Sequence, residues 1–292
     1  MSERQKKPDW IKVKINLNDN FRFVDQLLSK KNLNTVCEEA RCPNIHECWG
    51  EHRTATFMIL GDTCTRRCRF CSVKTGLPGP VDTGEPQRVA DSVAEMGLAH
   101  VVITMVNRDD LDDGGAGIMA QTVAAIKQTA PNCKIEVLAS DMMGKAECIR
   151  VMLDAQPDIM SHNIETVERL TPTIRSRSDY RRSLTFLELS HQLDPDIVTK
   201  SSMMLGLGET AEEIEKALDD LRSVSVSCVN LGQYLQPTPN NLPVQKYWTP
   251  DEFMALKEMA LGKGFIHVES GPLVRSSYHA GEQLAAYQKR KE

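Results

Sequence analysis

The chain reads as an α/β protein, a partial (β/α)6 TIM-like barrel, and three observations lead there. β-like runs alternate with helical patterns along most of its length. Strand starts recur about every 25 to 45 residues, with a helix after each, which means right-handed βαβ units and a parallel sheet. No G-x-G-x-x-G follows the first strand, which disfavours a flat dinucleotide-binding sheet. Six strands are too few to close an eight-stranded barrel, so a curved, open one is expected.

Strands are expected over 54–60, 100–106, 134–139, 158–162, 197–205 and 227–235, and helices over 86–96, 116–129, 145–155, 181–192 and 209–224. The last of these helices shows the pattern well: Ile214, Leu218 and Leu221 fall at i, i+4, i+7 among charged residues. Thr210 followed by Glu213 predicts a capping box at its start. From about Thr249 the pattern predicts a helix, a short strand around 265–268 and a tail. The chain thus divides into an N-terminal extension (1–53), the barrel (54–248) and a C-terminal extension (249–292), both extensions lying over the barrel mouth.

Composition excludes more than it assigns. A formal charge of −5 argues against general nucleic-acid binding. No apolar run approaches the roughly 20 residues a bilayer span needs, so no membrane partner is expected. The charged start, MSERQKKPDW, has no apolar signal segment, and a reducing cytoplasm is the expected location. The basic tail QKRKE reads as solvated.

Six of the nine cysteines form two triads, Cys37, Cys42, Cys48 (C-x4-C-x5-C) and Cys64, Cys68, Cys71 (C-x3-C-x2-C). A disulfide framework fits poorly in a chain long enough to bury a core. Structural zinc stays open, since His46 or His52 would complete a Cys3His set, but neither triad has the paired C-x2-C pattern of a zinc ribbon. Iron–sulfur ligation suits the spacing better, each triad leaving one position for a further ligand. Cys133, Cys148 and Cys228 lie in apolar segments and read as small buried residues.

The second triad directly follows the first strand, on the loop at its C-terminal end, where barrels carry their chemistry. Here the residues carry a resemblance. The C-x3-C-x-F-C loop resembles the signature of the radical S-adenosylmethionine (SAM) superfamily. CEEARCPNIHEC, GDTCTRRCRFCSVKTG, VNRDDLDDGG, SHNIETV, LGLGET, LGQYLQPT and SGPLVRSSYHA together resemble the lipoyl synthase family within it.

The resemblance implies two 4Fe–4S clusters and SAM as cofactors. Cys64, Cys68 and Cys71 would hold the SAM-cleaving cluster; Cys37, Cys42 and Cys48, with Ser277 of the RSSY motif as fourth ligand, would hold an auxiliary cluster that donates sulfur. The implied reaction inserts two sulfur atoms, at C6 and C8, into an octanoyl chain amide-linked to a lysine of a carrier protein. An unactivated C–H bond calls for a radical, which the cofactor supplies. Implied partners are octanoylated lipoyl domains of 2-oxoacid dehydrogenases, the glycine-cleavage H protein, an electron donor and an iron–sulfur cluster carrier for rebuilding.

Cofactor contacts are expected from the segment after the second strand, Asn107 and Asp109 among them, although its G-G-E form is absent. Asn163 and Glu165 after the fourth strand are further candidates, as are Gly206 and Gly208 after the fifth, where a plain turn is the alternative. Arg66, Arg67, Arg69 and Lys74 either offset cluster charge, meet an acidic carrier, or are simply solvated. Asn241 stands where many members of the family are expected to carry histidine. Two other readings remain: a radical SAM enzyme with another substrate, and a non-enzymatic zinc- or cluster-binding module.

Overall fold

The computed structural model describes residues 6–52, 54–278 and 280–281; QKRKE lies outside them. Seven parallel strands follow one another in chain order: β1 (Thr56–Ile59), β2 (His100–Met105), β3 (Lys134–Leu138), β4 (Ile159–Ser161), β5 (Val198–Leu205), β6 (Cys228–Gln233) and β7 (His267–Gly271). The crossovers hold α1 (Glu85–Met96), α2 (Ala116–Thr129), α3 (Ala146–Asp154), α4 (Tyr180–Leu193), α5 (Ala211–Ser223) and α6 (Pro250–Gly262). Each of the six βα units lies where the periodicity predicts it. The expected Thr210–Glu213 capping box opens α5, and a second, Thr249–Glu252, opens α6.

Two elements extend the sheet beyond the six strands. Asn34–Thr35 pairs antiparallel with β1, two residues being too short for any periodicity to reveal. β7 begins two residues later than the predicted strand and pairs with β6 along all five of its residues. Among the described residues these two strands end the sheet and do not pair with each other, so the arc stays open.

The period of two along each strand separates the two faces. Val101, Ile103, Ile135, Val137, Val229 and Leu231 join the main core with Val93, Ile126, Ile149 and Leu221 of the helices. Fully burying each such side chain contributes about 1.5–3 kcal/mol. The opposite parity forms the inner face. It holds a separate small cluster of Ile159, Val198 and Cys228, and a buried ion pair, Lys200 to Glu136 at 2.9 Å, with Ser161 donating to the same carboxylate. Cys133 and Cys148 are also buried, so all three scattered thiols are core residues.

The C-terminal segment runs across that inner face. Asn230 of β6 donates to the carbonyls of Arg275 and Ser276, and Thr56 of β1 donates to the Ser277 hydroxyl at 2.8 Å. Glycine is required at position 232, where a Cβ would stand 2.0 Å from the Val274 carbonyl oxygen. No helix among the described residues is long and apolar enough to cross a membrane.

Candidate active site

At the C-terminal end of the strands, the loop after β1 carries Cys64, Cys68 and Cys71. A two-residue parallel ladder, Thr63–Cys64 against Lys74–Thr75, closes its base. Its far side is pinned by the Arg69 N–H, which donates to Ile174 O, and by the Cys68–Arg175 bridge. Desolvation pushes the Cys68 thiol up to about 11 and Cys71 to about 12. Such burial disfavours the bare thiolates of Cys68 and Cys71, and a metal bound there would displace their protons.

Arg66, inside this loop, is buried. Its guanidinium binds both carboxylate oxygens of Asp109 and both of Asp141, at 2.7–3.2 Å, and Arg182 adds a further bond to Asp141 at 2.9 Å. This settles one open reading: Arg66 is neither solvated nor free to meet a carrier. Arg67, Arg69 and Lys74 are exposed. The Asp141 carboxyl, although desolvated, is held well below the usual carboxylate range by Arg66. A folded-state value so depressed stabilises the fold above the unfolded pKa, and that stability is lost as pH falls through the folded one. Arg66→Ala leaves Asp141 buried with one cation fewer. We expect it to lower the unfolding free energy of the metal-free protein by about 3–5 kcal/mol, read from urea denaturation; a loss below about 1 kcal/mol is what an exposed pair gives.

The other predicted contacts sort by what already holds them. The Asn107 amide N–H lies 3.7 Å from Cys64 Sγ, and its Oδ1 is buried without a partner. Asp109 gives its carboxylate to Arg66. Asn163 donates to Glu165 at 3.1 Å. Glu165 adopts φ +65°, a strained backbone for a non-glycine residue, and is locked there by hydrogen bonds to Ser202 O and from Met204 N. Its carboxyl is raised above the usual range, by burial first, against Arg175 and Asn163, which lower it. Gly206 and Gly208 have φ of +104° and +112°; a Cβ on Gly206 would stand 2.2 Å from Gln233 Nε2 and 2.4 Å from Lys246 O. Close packing within the protein therefore accounts for Gly206.

Two residues here gave no signal in the sequence. Arg175 is buried; one nitrogen donates to Ile164 O and Ser183 Oγ, but its Nε has no partner. Asp141 is fully buried. Both lie in irregular segments that no spacing singles out.

The first triad sits apart from this loop. Cys37 lies on the helix Val36–Glu39 and Cys48 on the helix Ile45–Gly50, with Cys42 between them. All three line one cavity of about 300 Å³ together with Ser277, Asn44, His52 and Arg275. Thr56, His100 and Val102 form its wall, from the N-terminal halves of β1 and β2, whereas the second triad follows the C-terminal end of β1. The two extensions, expected over the barrel mouth, instead meet on the inner face toward the opposite end of the strands from the C-x3-C-x2-C loop. They do so because Thr56 and Asn230 of the inner face bind the 275–277 segment there. Burial pushes Cys37 up to about 12 and raises Cys42 and Cys48 as well. Asn44 Oδ1 and His100 Nε2 are buried without partners beside them.

Among the described residues no three His, Cys, Asp or Glu side chains converge as one metal ion requires. A cluster that takes each thiolate on a different iron asks for wider spacing, and three thiols plus a hydroxyl around a 300 Å³ cavity fit that donor set. His46, one candidate for a Cys3His zinc site, stacks on Phe21 and bonds Asn16 O instead.

Comparison with known proteins agrees with this architecture. The model of the radical SAM superfamily matches residues 58–221, and that of the N-terminal domain of lipoyl synthase matches residues 1–42. The fold resembles methylornithine synthase (TM-score 0.56, 13% identity, 87% of this chain and 82% of that one). It also resembles coproporphyrinogen III oxidase from Escherichia coli (TM-score 0.51, 11% identity, 77% and 57%). A 4Fe–4S-dependent radical SAM enzyme is the class that this barrel and its cysteine loop define. The chain is 59% identical over 290 residues to the lipoyl synthase of Halalkalibacterium halodurans, covering 99% of this chain and 96% of that protein. It is 60% identical over 283 residues to that of Geobacillus kaustophilus, covering 97% and 95%. The chain belongs to the lipoyl synthase family.

Proposed function

We propose that this enzyme inserts two sulfur atoms, at C6 and C8, into a protein-bound octanoyl-lysine, with the two cysteine triads holding separate 4Fe–4S clusters. The observation that carries the reading is the single cavity in which Cys37, Cys42 and Cys48, from one end of the chain, meet Ser277 from the other. A serine oxygen is a harder ligand than thiolate, so the iron it holds is the easiest to release. When bound, the clusters and SAM supply a 5′-deoxyadenosyl radical and sulfur, chemistry that no side chain here can perform.

The protein's part is binding and orientation. Cys64, Cys68 and Cys71 hold the SAM-cleaving cluster. Asn107 Oδ1 and Arg175 Nε, one acceptor and one cationic donor left unpaired in the buried loop region, match the ammonium and carboxylate of an amino acid. Asn163, an amide donor, and Glu165, whose carboxyl accepts from it, are the pair that meets the ribose or the methionine moiety. Exposed Gly208, which carries no Cβ, lets the backbone after β5 approach adenine, and Gly206 shapes that turn through its close packing on Gln233 and Lys246. In this reading residues 1–53 and 249–292 are extensions on the barrel of residues 54–248. The partners are octanoylated lipoyl domains or H protein, with a reductant and a cluster carrier.

The test is mass spectrometry of an octanoyl-lysyl peptide after anaerobic incubation with reconstituted protein, SAM and dithionite. Two sulfurs in place of two hydrogens, with 5′-deoxyadenosine in the same sample, is the expected product. Deoxyadenosine beside an unchanged peptide would sink this substrate assignment.

A further inference from the structure

The loops beyond β1 and β6, the first and last strands of the six-unit arc, meet at one side chain. Asn241 lies in the connection between β6 and α6, and its amide is fully used. Its Oδ1 accepts from Thr238 Oγ1 at 2.6 Å, while its Nδ2 donates to Cys71 O at 2.8 Å and to Arg69 O at 3.2 Å. The backbone of the same connection adds a bond from Leu242 N–H to Arg69 O at 3.2 Å. Asn241 is itself braced: its N–H donates to Thr238 O, and its carbonyl accepts from Gln236 Nε2 at 2.8 Å. Tyr234 Oη holds Leu242 O at 2.8 Å.

We propose that Asn241 is a positioning residue that clamps the 68–71 loop from across the barrel opening, and so sets how that loop presents Cys68 and Cys71. The inference rests on the reading that this loop holds the SAM-cleaving cluster. Ile174 holds the loop on its other side through Arg69 N–H, so residues 68–71 are suspended between two anchors. Arg69 O keeps a second donor if Asn241 is lost; Cys71 O has no other donor among the bonds described, so the change falls on the peptide next to a ligand sulfur. The geometry needs an acceptor and two N–H groups on one short planar head. Aspartate has the shape without the donors, and neutral histidine has one N–H.

Two readouts test this on the full chain. In the metal-free protein, amide exchange of a peptide spanning residues 68–72 should rise about three- to tenfold in Asn241→Ala, the span that one lost hydrogen bond produces, with the core strands unchanged. After reconstitution, the KM for SAM should rise by a similar factor while kcat holds, and the electron paramagnetic spectrum of the reduced cluster should change. Asn241→His should recover part of the loss. Thr238→Val, which releases the amide oxygen without touching the loop, should fall between wild type and Asn241→Ala, and serves if Asn241→Ala does not fold. Unchanged exchange, KM and spectrum in both variants overturn the clamp alone. A variant with Cys64, Cys68 and Cys71 all replaced by alanine that cleaves SAM as well as the wild type overturns the cluster reading, and the clamp with it.

Discussion

Cys68→Ala is expected to make no 5′-deoxyadenosine at all. Cys68 is the middle ligand of the loop and the one tied by a backbone bridge to Arg175. Its sulfur lies close enough to Arg175, Glu165 and Cys64 for their charges to act on it. Alanine leaves two thiols where three are needed, with Arg175 Nε still buried beside them. Outer-shell partners of a metal site cost about 10–100-fold when removed, and a direct ligand costs more, so the loss is total within detection. Liquid chromatography of the SAM products under reducing, anaerobic conditions checks it. Deoxyadenosine at more than about a tenth of the wild-type rate, milder than the larger outer-shell losses, would move the SAM chemistry away from this loop.

Cys42→Ala should differ in kind. It should retain substantial deoxyadenosine formation and yield no sulfurated peptide. Cys42 shares its cavity with Cys37, Cys48 and Ser277, and the helices that flank it pack against the inner face toward the N-terminal ends of the strands. None of the residues gathered around Cys64, Asn107, Glu165 and Arg175 lines that cavity. Removing Cys42 therefore leaves the SAM end of the barrel standing. Deoxyadenosine and peptide products counted in one incubation distinguish the outcomes. Equal loss of both, in a variant with wild-type circular dichroism, would contradict the division of labour between the two triads.

Asn241 and Arg66 bear on the same loop from different sides, and although both residues stand out in the sequence, their partners do not. Asn241 is 170 residues from Cys71, and Arg66 meets Asp141 across 75. Spacing rules see neighbours along a helix, a strand or a metal loop; they do not see two loops brought together by the curvature of a sheet. Arg66 also shows how composition misleads: four basic residues in ten suggest a solvated or docking surface, yet one of them is buried between two carboxylates.

By itself the sequence determined the βα alternation, because periods of 2 and 3.6 are written into the order of apolar residues, and it determined the two thiol triads, because short loops bring ligands only a few residues apart together. It also carried the family, through two cysteine spacings and a terminal RSSY. Only the tertiary structure decided where these parts stand. It placed Cys37, Cys42 and Cys48 with Ser277 on the inner face, put β7 and Asn34–Thr35 at the sheet's two edges, and left Asn107 Oδ1 and Arg175 Nε unpaired. Those arrangements depend on contacts between residues far apart in the chain, where packing and desolvation rather than local order choose the partner.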